Sequence, residues 1–569
     1  VKKVIGIILG ILAIAVATIL LFFQSDTKNP YADYHWGRFS GTCTSTDRPD
    51  DDFGKNYPAC DYSVPESDIP TFREIDFPFT NKFDNTRSLP LMACALIDVE
   101  GDGVDEVFVS GGVEQADALF RYSEHGFEEL SNTFALPPKP QNTTTLGASS
   151  ADLDGDGRTD LILTGDYGVL WYRNTGSGFE VHKIEAPLNE KSSAATTTLA
   201  DYDRDGDLDI FLCAYLYLDK MEGQTIFKDS NYGATSLLLQ NNGDQTFTDV
   251  TETAGLKYVH NTFQAVFVDL DNDGLLDLVV AHDTGEVRTY KNKDGQHFEK
   301  MPNPTTGKYA YPMGIAVGDY NNDGLVDLFF SNTGTSVPVF LARGDLETSD
   351  VFNEQWILFE NQGNFTFTDV AKSAKVADFE FSWGAIFEDF NLDGRPDLVV
   401  AENYVDFPPH KLFKLPCRFL IQRPDGTFAA VEEQAGVVNK NYAISPLTSD
   451  FNLDGWPDLL YSNLDGPVKA FINNGGQNHY LAFRFPEKAE YVGSSVTVTR
   501  ANGEILSDVY VIGEGLSSDQ TATLTFGLGS DEMVQKAVIR YPNGGIQTIE
   551  NPKIDQVHTV QIPSGKKPG

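Results

Sequence analysis

Seven times along the chain, acidic residues recur at one fixed spacing that suits a hard cation. The pattern D-x-[DEN]-x-D-G-x-x-[DE] reads DVEGDGVDE, DLDGDGRTD, DYDRDGDLD, DLDNDGLLD, DYNNDGLVD, DFNLDGRPD and DFNLDGWPD, at intervals of 49 to 70 residues. Oxygens at positions 1, 3 and 5 converge when a chain wraps a cation, the Gly at position 6 permits the sharp turn, and the acid at position 9 closes the shell. The candidate ligands are Asp98, Glu100, Asp102 and Glu106; Asp152, Asp154, Asp156 and Asp160; Asp201, Asp203, Asp205 and Asp209; Asp269, Asp271, Asp273 and Asp277; Asp319, Asn321, Asp323 and Asp327; Asp389, Asn391, Asp393 and Asp397; and Asp450, Asn452, Asp454 and Asp458. An all-oxygen set without His or Cys points to Ca2+ rather than zinc or copper. Asp-Gly turns alone would not require acids at four fixed positions. One ion per loop gives about seven calcium sites. The last three loops carry Asn at position 3, so the acid count predicts weaker binding there.

Something must present these loops, and the flanking sequence says it is strands. Position 9 opens apolar runs such as Leu278-Val279-Val280, and runs such as Ala265-Val266-Phe267-Val268 precede the loop. EF-hand helices and a Glu at position 12 are not part of the pattern. A second mark, a Phe after a turn-like stretch, falls 21 to 26 residues before each loop, at Phe72, Phe127, Phe179, Phe247, Phe298, Phe367 and Phe428. With the two apolar runs between loop and Phe, each unit of about 50 residues holds four strands. Such a unit cannot bury both sheet faces alone, and radial stacking solves that. The expected fold is all-β, a seven-bladed β-propeller over residues 72–478. The first unit begins with its Phe strand and the last lacks one. The strand FREIDF (residues 72–77) is therefore expected to complete the sheet that carries Asp450, which removes a free edge.

The repeats resemble the FG-GAP and VCBS repeats of integrin alpha-subunit propellers, and NNGDQTFTDVTETAG (residues 241–255) looks still more like the cartilage acidic protein family. SSVTVTRANGE, TLTFGLGSDEMVQKAVIRYPNGGIQTIEN and HTVQIP in the tail are similar to the ASPIC/UnbV domain that follows the propeller in that family. Gly513-Glu514-Gly515-Leu516 departs from it, since the family more often has an aromatic after the second Gly. The resemblance implies an extracellular, calcium-binding, interaction-like protein. The alternating runs of residues 479–563 by themselves predict a small β-sandwich, followed by a tail at 564–569.

The N-terminus predicts export. Lys2 and Lys3 precede an uncharged run over residues 4–23. Twenty residues of helix span roughly 30 Å, one bilayer core. Residues 1–23 are read as a single-pass signal anchor, N-in by the flanking lysines, with the bulk periplasmic or extracellular. Secretion after cleavage near Ala15-Val16-Ala17 is the alternative. Residues 24–71 read as a stalk, in which Cys43 and Cys60 are disulfide candidates. A net charge of −41 argues against nucleic acid.

No G-x-S-x-G, H-E-x-x-H or phosphate loop is present. The expected role is a protein or carbohydrate interaction and adhesion module. A carbohydrate-active enzyme, lyase or hydrolase, is the alternative, since calcium-bearing propellers also serve sugar chemistry. Long inserts after the second strand bring Tyr215, Tyr217, Phe227, Tyr232, Phe340, Tyr404, Phe407 and Phe413 to the face opposite the calcium loops, where they are candidates for ligand contact.

Overall fold

The computed structural model describes residues 64–562, apart from 86, 131–132, 223–224, 335–341 and 404–413. The N-terminal anchor, the stalk cysteines Cys43 and Cys60, and the 564–569 tail lie outside the described residues. Among the described residues no helix is long and apolar enough to cross a membrane.

Each repeat folds into a four-stranded antiparallel sheet, with strands in sequence order from the first outward. The first strands are Cys94–Ile97, Thr145–Ala151, Ser192–Ala200, Thr262–Val268, Ile315–Gly318, Ser382–Glu388 and Tyr442–Ser449. Each lies beside the next, and the last returns to the first, so the seven sheets close a ring. These strands are buried almost throughout, and small or hydroxyl residues let them approach one another. Gly147 faces Ala195 O, and Gly314 faces the Trp383–Gly384 backbone, at distances where a Cβ would collide. Thr196 Oγ1 donates to Phe263 O at 2.7 Å, which satisfies a buried hydroxyl across the sheet boundary.

Closure follows the order of marks in the sequence. Phe72–Ile75 pairs antiparallel with Lys469–Asn473, outermost in the sheet that carries Asp450. Phe72 packs edge-on against Phe390 and Phe419 of the neighbouring sheet. Deleting residues 70–80 is expected to lower the melting temperature far more than deleting residues 30–60, because only the former removes a sheet strand. Equal melting temperatures for the two truncations would show that the ring does not depend on this strand.

A second body of strands follows the ring. His479–Arg484, Thr523–Gly529 and Val557–Thr559 form a three-stranded sheet; Ser495–Arg500, Ile505–Val509, Val534–Arg540 and Ile546–Glu550 form a four-stranded one. The apolar cluster between them, with Phe483, Val496, Phe526 and Ile539, is continuous with Leu208, Phe267 and Leu276 of the ring. Burying each such large side chain contributes about 1.5–3 kcal/mol, so the two bodies share one core.

From this second body a loop enters the ring axis. Ser518–Asp519 pairs in parallel with Cys94–Ile97 of the first sheet. Around it, Ser150 N donates to Asp519 Oδ2 at 2.7 Å, Thr198 Oγ1 to Ile512 O at 2.6 Å, and Gln264 Nε2 to Gly513 O. Ile315 and Gly515 exchange backbone hydrogen bonds at 2.8 and 3.0 Å. The backbone of Phe387 bonds the Glu514 carboxylate, and Ser445 Oγ pairs with Ser518 Oγ at 2.8 Å. Every sheet thus touches the loop. Gly513 and Gly515 hold φ of 92° and 89°, and a Cβ on Gly515 would lie 2.5 Å from Ser518 Oγ. The residue after the second Gly, Leu516, is fully buried against the ring. Its modest size suits a position enclosed on all sides.

Candidate metal centres

Each motif links a first strand to a second, and position 9 is always the first residue of that second strand. Backbone hydrogen bonds pre-shape the loop. The position-1 carboxylate accepts from the position-6 Gly N–H in all seven copies, at 2.7–3.1 Å. The position-5 carboxylate accepts from the position-7 N–H at 2.9–3.1 Å. Position 6 is Gly at positive φ throughout, and position 4 is also left-handed, even for Leu392 and Leu453 at 55° and 59°. That conformation costs a branched side chain about 1–2 kcal/mol, so something must hold the loop against it.

Position 9 is a structural hub as well as a candidate ligand. Asp160, Asp209, Asp277, Asp327, Asp397 and Asp458 each accept the backbone N–H of a third-strand Asn or Gln at 2.7–3.0 Å. The side chains of five of those residues reach back to the preceding sheet. Asn174, Asn292, Asn361, Gln422 and Asn473 donate to the position-2 carbonyls of Val99, Tyr202, Leu270, Tyr320 and Phe390 at 2.7–3.0 Å. The third to sixth loops are thereby fastened both to their own sheet and to the next.

The acids converge closely in three loops. Oxygens of Asp152, Asp154 and Asp160, of Asp201, Asp203 and Asp209, and of Asp269, Asp271 and Asp273 lie within 4.8 Å of one another. In the first loop Arg121 sits among Glu100, Asp102 and Glu106 instead. In the last three, Asn321, Asn391 and Asn452 donate to Asp323, Asp393 and Asp454 at 2.9–3.1 Å.

Burial holds loop carboxylates above their usual range. Burial pushes Asp269, Asp319 and Asp450 up to about 6, Glu106, Asp160 and Asp201 to about 7, Asp277 and Asp458 to about 8, and Asp209 and Asp327 to about 9. Asp389 and Asp397 are raised well above the usual carboxylate range by the same cause. Buried carboxylate oxygens at Asp152 Oδ1, Asp209 Oδ2, Asp271 Oδ1 and Asp327 Oδ2 have no hydrogen-bond partner. An unpaired buried acceptor costs about 1–3 kcal/mol, and more when charged. A hard divalent cation meets this oxygen-only, acid-rich and partly orphaned donor set.

Two further features were not legible in the motif. Arg484 lies buried between Asp105 of the first loop, at 2.6 Å, and Glu487. It belongs to a wider docking surface. Asp152 N donates to Glu487 O at 2.7 Å, Gly493 lies against Leu276, Ser507 bonds Asp319, Gly529 N donates to Leu392 O at 2.8 Å, and Tyr480 lies against Gly455. Six of the seven loops thus meet the C-terminal body, which sits on the face that carries the motif loops.

On the opposite face, part of the expected ligand surface is a packed lid. Tyr215, Tyr217 and Phe227 are buried rather than presented to solvent. Tyr215 bonds Asp283 and packs on Phe263, and Phe227 packs edge-on against Tyr309, Tyr311 and Phe352. The reason is that the inserts of the third and fifth sheets cover each other; Asp345 of the latter accepts the Phe227 N–H at 2.8 Å. Tyr232 is half-buried. Phe340, Tyr404, Phe407 and Phe413 lie outside the described residues.

This is a β-propeller of FG-GAP-like repeats joined to an ASPIC and UnbV domain. The FG-GAP-like repeat matches residues 98–163, 152–212, 229–280 and 269–330, and ASPIC and UnbV matches 486–567. The homologues include Cartilage acidic protein 1: 25% identity over 350 residues for that of Xenopus tropicalis, covering 56% of this chain and 49% of the relative, and 21% over 337 residues for that of Homo sapiens, covering 56% and 48%. The chain spans about half the length of the curated relatives it matches. Among solved structures, the BP39L lectin from Burkholderia pseudomallei aligns with a TM-score of 0.42 and 10% identity, over 68% of this chain and 97% of the lectin.

Proposed function

We propose that this chain is a seven-bladed propeller braced by calcium at its seven motif loops, exported and held to a membrane by its N-terminal segment, and that it binds a protein or glycan through the face opposite those loops. The observation that carries the reading is the occupancy of the other surfaces. The C-terminal body covers the metal-loop face and its loop fills the axis, so calcium acts as a structural brace rather than as a ligand contact. The second-to-third-strand inserts then supply the variable surface, and loops on a rigid scaffold are where function concentrates. A carbohydrate-active enzyme with its acid pair in a central pocket would need the axis open.

Replacing Tyr404, Phe407 and Phe413 by Ala is expected to reduce binding to glycan or extracellular-protein arrays by tenfold or more, roughly the loss of one aromatic anchor, with no change in melting temperature. Retained binding together with a lower melting temperature would assign these residues to the lid instead. Release of new reducing ends or unsaturated sugars from a polysaccharide panel would favour the enzyme.

A further inference from the structure

The residue just before the third-strand Asn or Gln (Tyr122 in the first sheet) occupies one register position in every sheet. It follows the partner of the residue after position 9, as in the pairs Val107 with Phe120, Leu161 with Tyr172, Ile210 with Leu239 and Leu278 with Tyr290. The residues there are Arg121, Arg173, Gln240, Lys291, Glu360, Ile421 and Ile472. Their chemistry tracks position 3 of the adjacent loop. Where position 3 is acidic, the third strand supplies a donor. Arg121 bonds Glu100 at 2.9 Å, Arg173 bonds Asp154 and Asp156 at 2.5 and 2.6 Å, Gln240 bonds Asp203 at 2.5 Å, and Lys291 bonds Asp271 and Asp273. Where position 3 is Asn, the third strand has Glu360, Ile421 or Ile472, and the Asn amide itself donates to the position-5 carboxylate.

We infer that the calcium affinity of each loop is set by the third-strand residue facing its position 3 rather than by the number of acids. Arg121, Arg173 and Lys291 cancel the extra carboxylate of the first, second and fourth loops, and bring these to the affinity of the Asn loops or below it. The third loop, faced by the neutral Gln240, and the fifth, whose three acids are joined by Glu360, are the tightest. The inference rests on the calcium reading above and adds to it.

The geometry explains how one acid serves two partners. Lys291 and Arg173 bond the Oδ2 atoms of Asp271 and Asp154, while buried Asp271 Oδ1 has no partner. A divalent ion drawn to the second oxygen feels the fixed positive charge on the first. The third loop has no such charge on Asp203, its Asp209 Oδ2 is buried and unpaired, and its own Arg204 lies instead against Gly274 of the fourth loop. A fixed unit charge a few ångströms from a divalent ion changes its affinity by roughly tenfold even in a water-like dielectric.

Two tryptophans make the test site-specific. The Trp171 indole donates to Asp160 of the second loop at 2.9 Å, and Trp456 is position 7 of the seventh, its N–H bonded to Asp454. Terbium luminescence sensitised by tryptophan in the full chain in detergent, measured in W456F and W171F backgrounds, reads each loop separately. The second loop, despite its fourth acid, is expected to fill at the same terbium concentration as the seventh or a higher one. R173M should lower the Trp171-sensitised midpoint by roughly tenfold, R173K should leave it in place, and R173M/D154N should return it to the range of the seventh loop. In a calcium titration, Gln240→Lys should remove one site from the tightest class. A second-loop midpoint tenfold below the seventh in the parent, or a midpoint that R173M leaves unchanged in protein with native circular dichroism, overturns the inference and leaves calcium binding standing. If R173M does not fold, loss of one tight site in Gln240→Lys supports the inference and an unchanged isotherm overturns it. Terbium signal at neither tryptophan, with no calcium bound, removes the calcium reading itself.

Discussion

Excess chelator is expected to lower the melting temperature by roughly 10 °C or more, and by more at about pH 8 than at about pH 5. At tenfold excess over Kd, each occupied site adds about 1.4 kcal/mol. Seven such sites rival the whole stability of an ordinary domain, and even for a chain of this size that is many degrees. The pH dependence follows from burial. In the metal-free protein Asp160, Asp201, Asp277 and Asp458 are raised from 3.8 to about 7 or 8, and Asp209 and Asp327 to about 9. A raised carboxylate binds its proton more tightly in the folded state than in the unfolded one. The stability of the metal-free protein therefore falls as pH rises from about 4 to about 9. Bound calcium offsets that loss by pairing with the ionised form, and at low pH protons compete with it. The gap between calcium and chelator should widen with pH, read by calorimetry in each condition. A constant gap across that range would mean the buried acids are not where the metal binds.

Gly513→Val, which forces a side chain into the loop that fills the axis, is expected to cost several kcal/mol. Its Cβ would stand 2.8 Å from Thr197 O, at a φ of 92° that a β-branched residue does not adopt. If the loop withdraws, Asp519 releases the Ser150 N–H and hydroxyl, Thr198 loses the Ile512 carbonyl, and Gln264 loses Gly513. Each buried group left unpaired costs about 1–3 kcal/mol. Asp519→Ala removes part of the same network without backbone strain and should cost less. Melting curves rank the two, and small-angle scattering of Gly513→Val should show an expanded particle. If Gly513→Val melts with the parent, the loop rests in the axis without supporting the ring.

The closing strand shows how much a linear pattern can carry. A Phe mark before the first loop and none after the last placed Phe72–Ile75 against Lys469–Asn473, because strand order is a property of the chain itself. The seven loops were equally legible as turns, since the carboxylates at positions 1 and 5 and the Gly at position 6 shape them through local backbone geometry alone. Their acid count gives one ranking of affinity, and the residues that face position 3 give another. The residue that faces position 3 lies about 20 residues downstream or farther, and only the pairing register brings Arg173 to Asp154.

The tertiary structure alone decided what touches what across long separations. Gly513-Glu514-Gly515-Leu516 stood out in the sequence only as a departure from a family pattern, and nothing local tells a tight loop that it will enter a ring whose strands lie hundreds of residues earlier. Three of the insert aromatics, Tyr215, Tyr217 and Phe227, are buried for the same reason. Tyr215 and Phe227 have the composition of a ligand surface, but Phe263 and Asp283 of the fourth sheet enclose the first and the insert of the fifth sheet covers the second. Spacing along the chain determined the loops, the sheets and their closure. Which face stayed free, and which charges met, depended on packing between segments whose sequences carry no mark of one another.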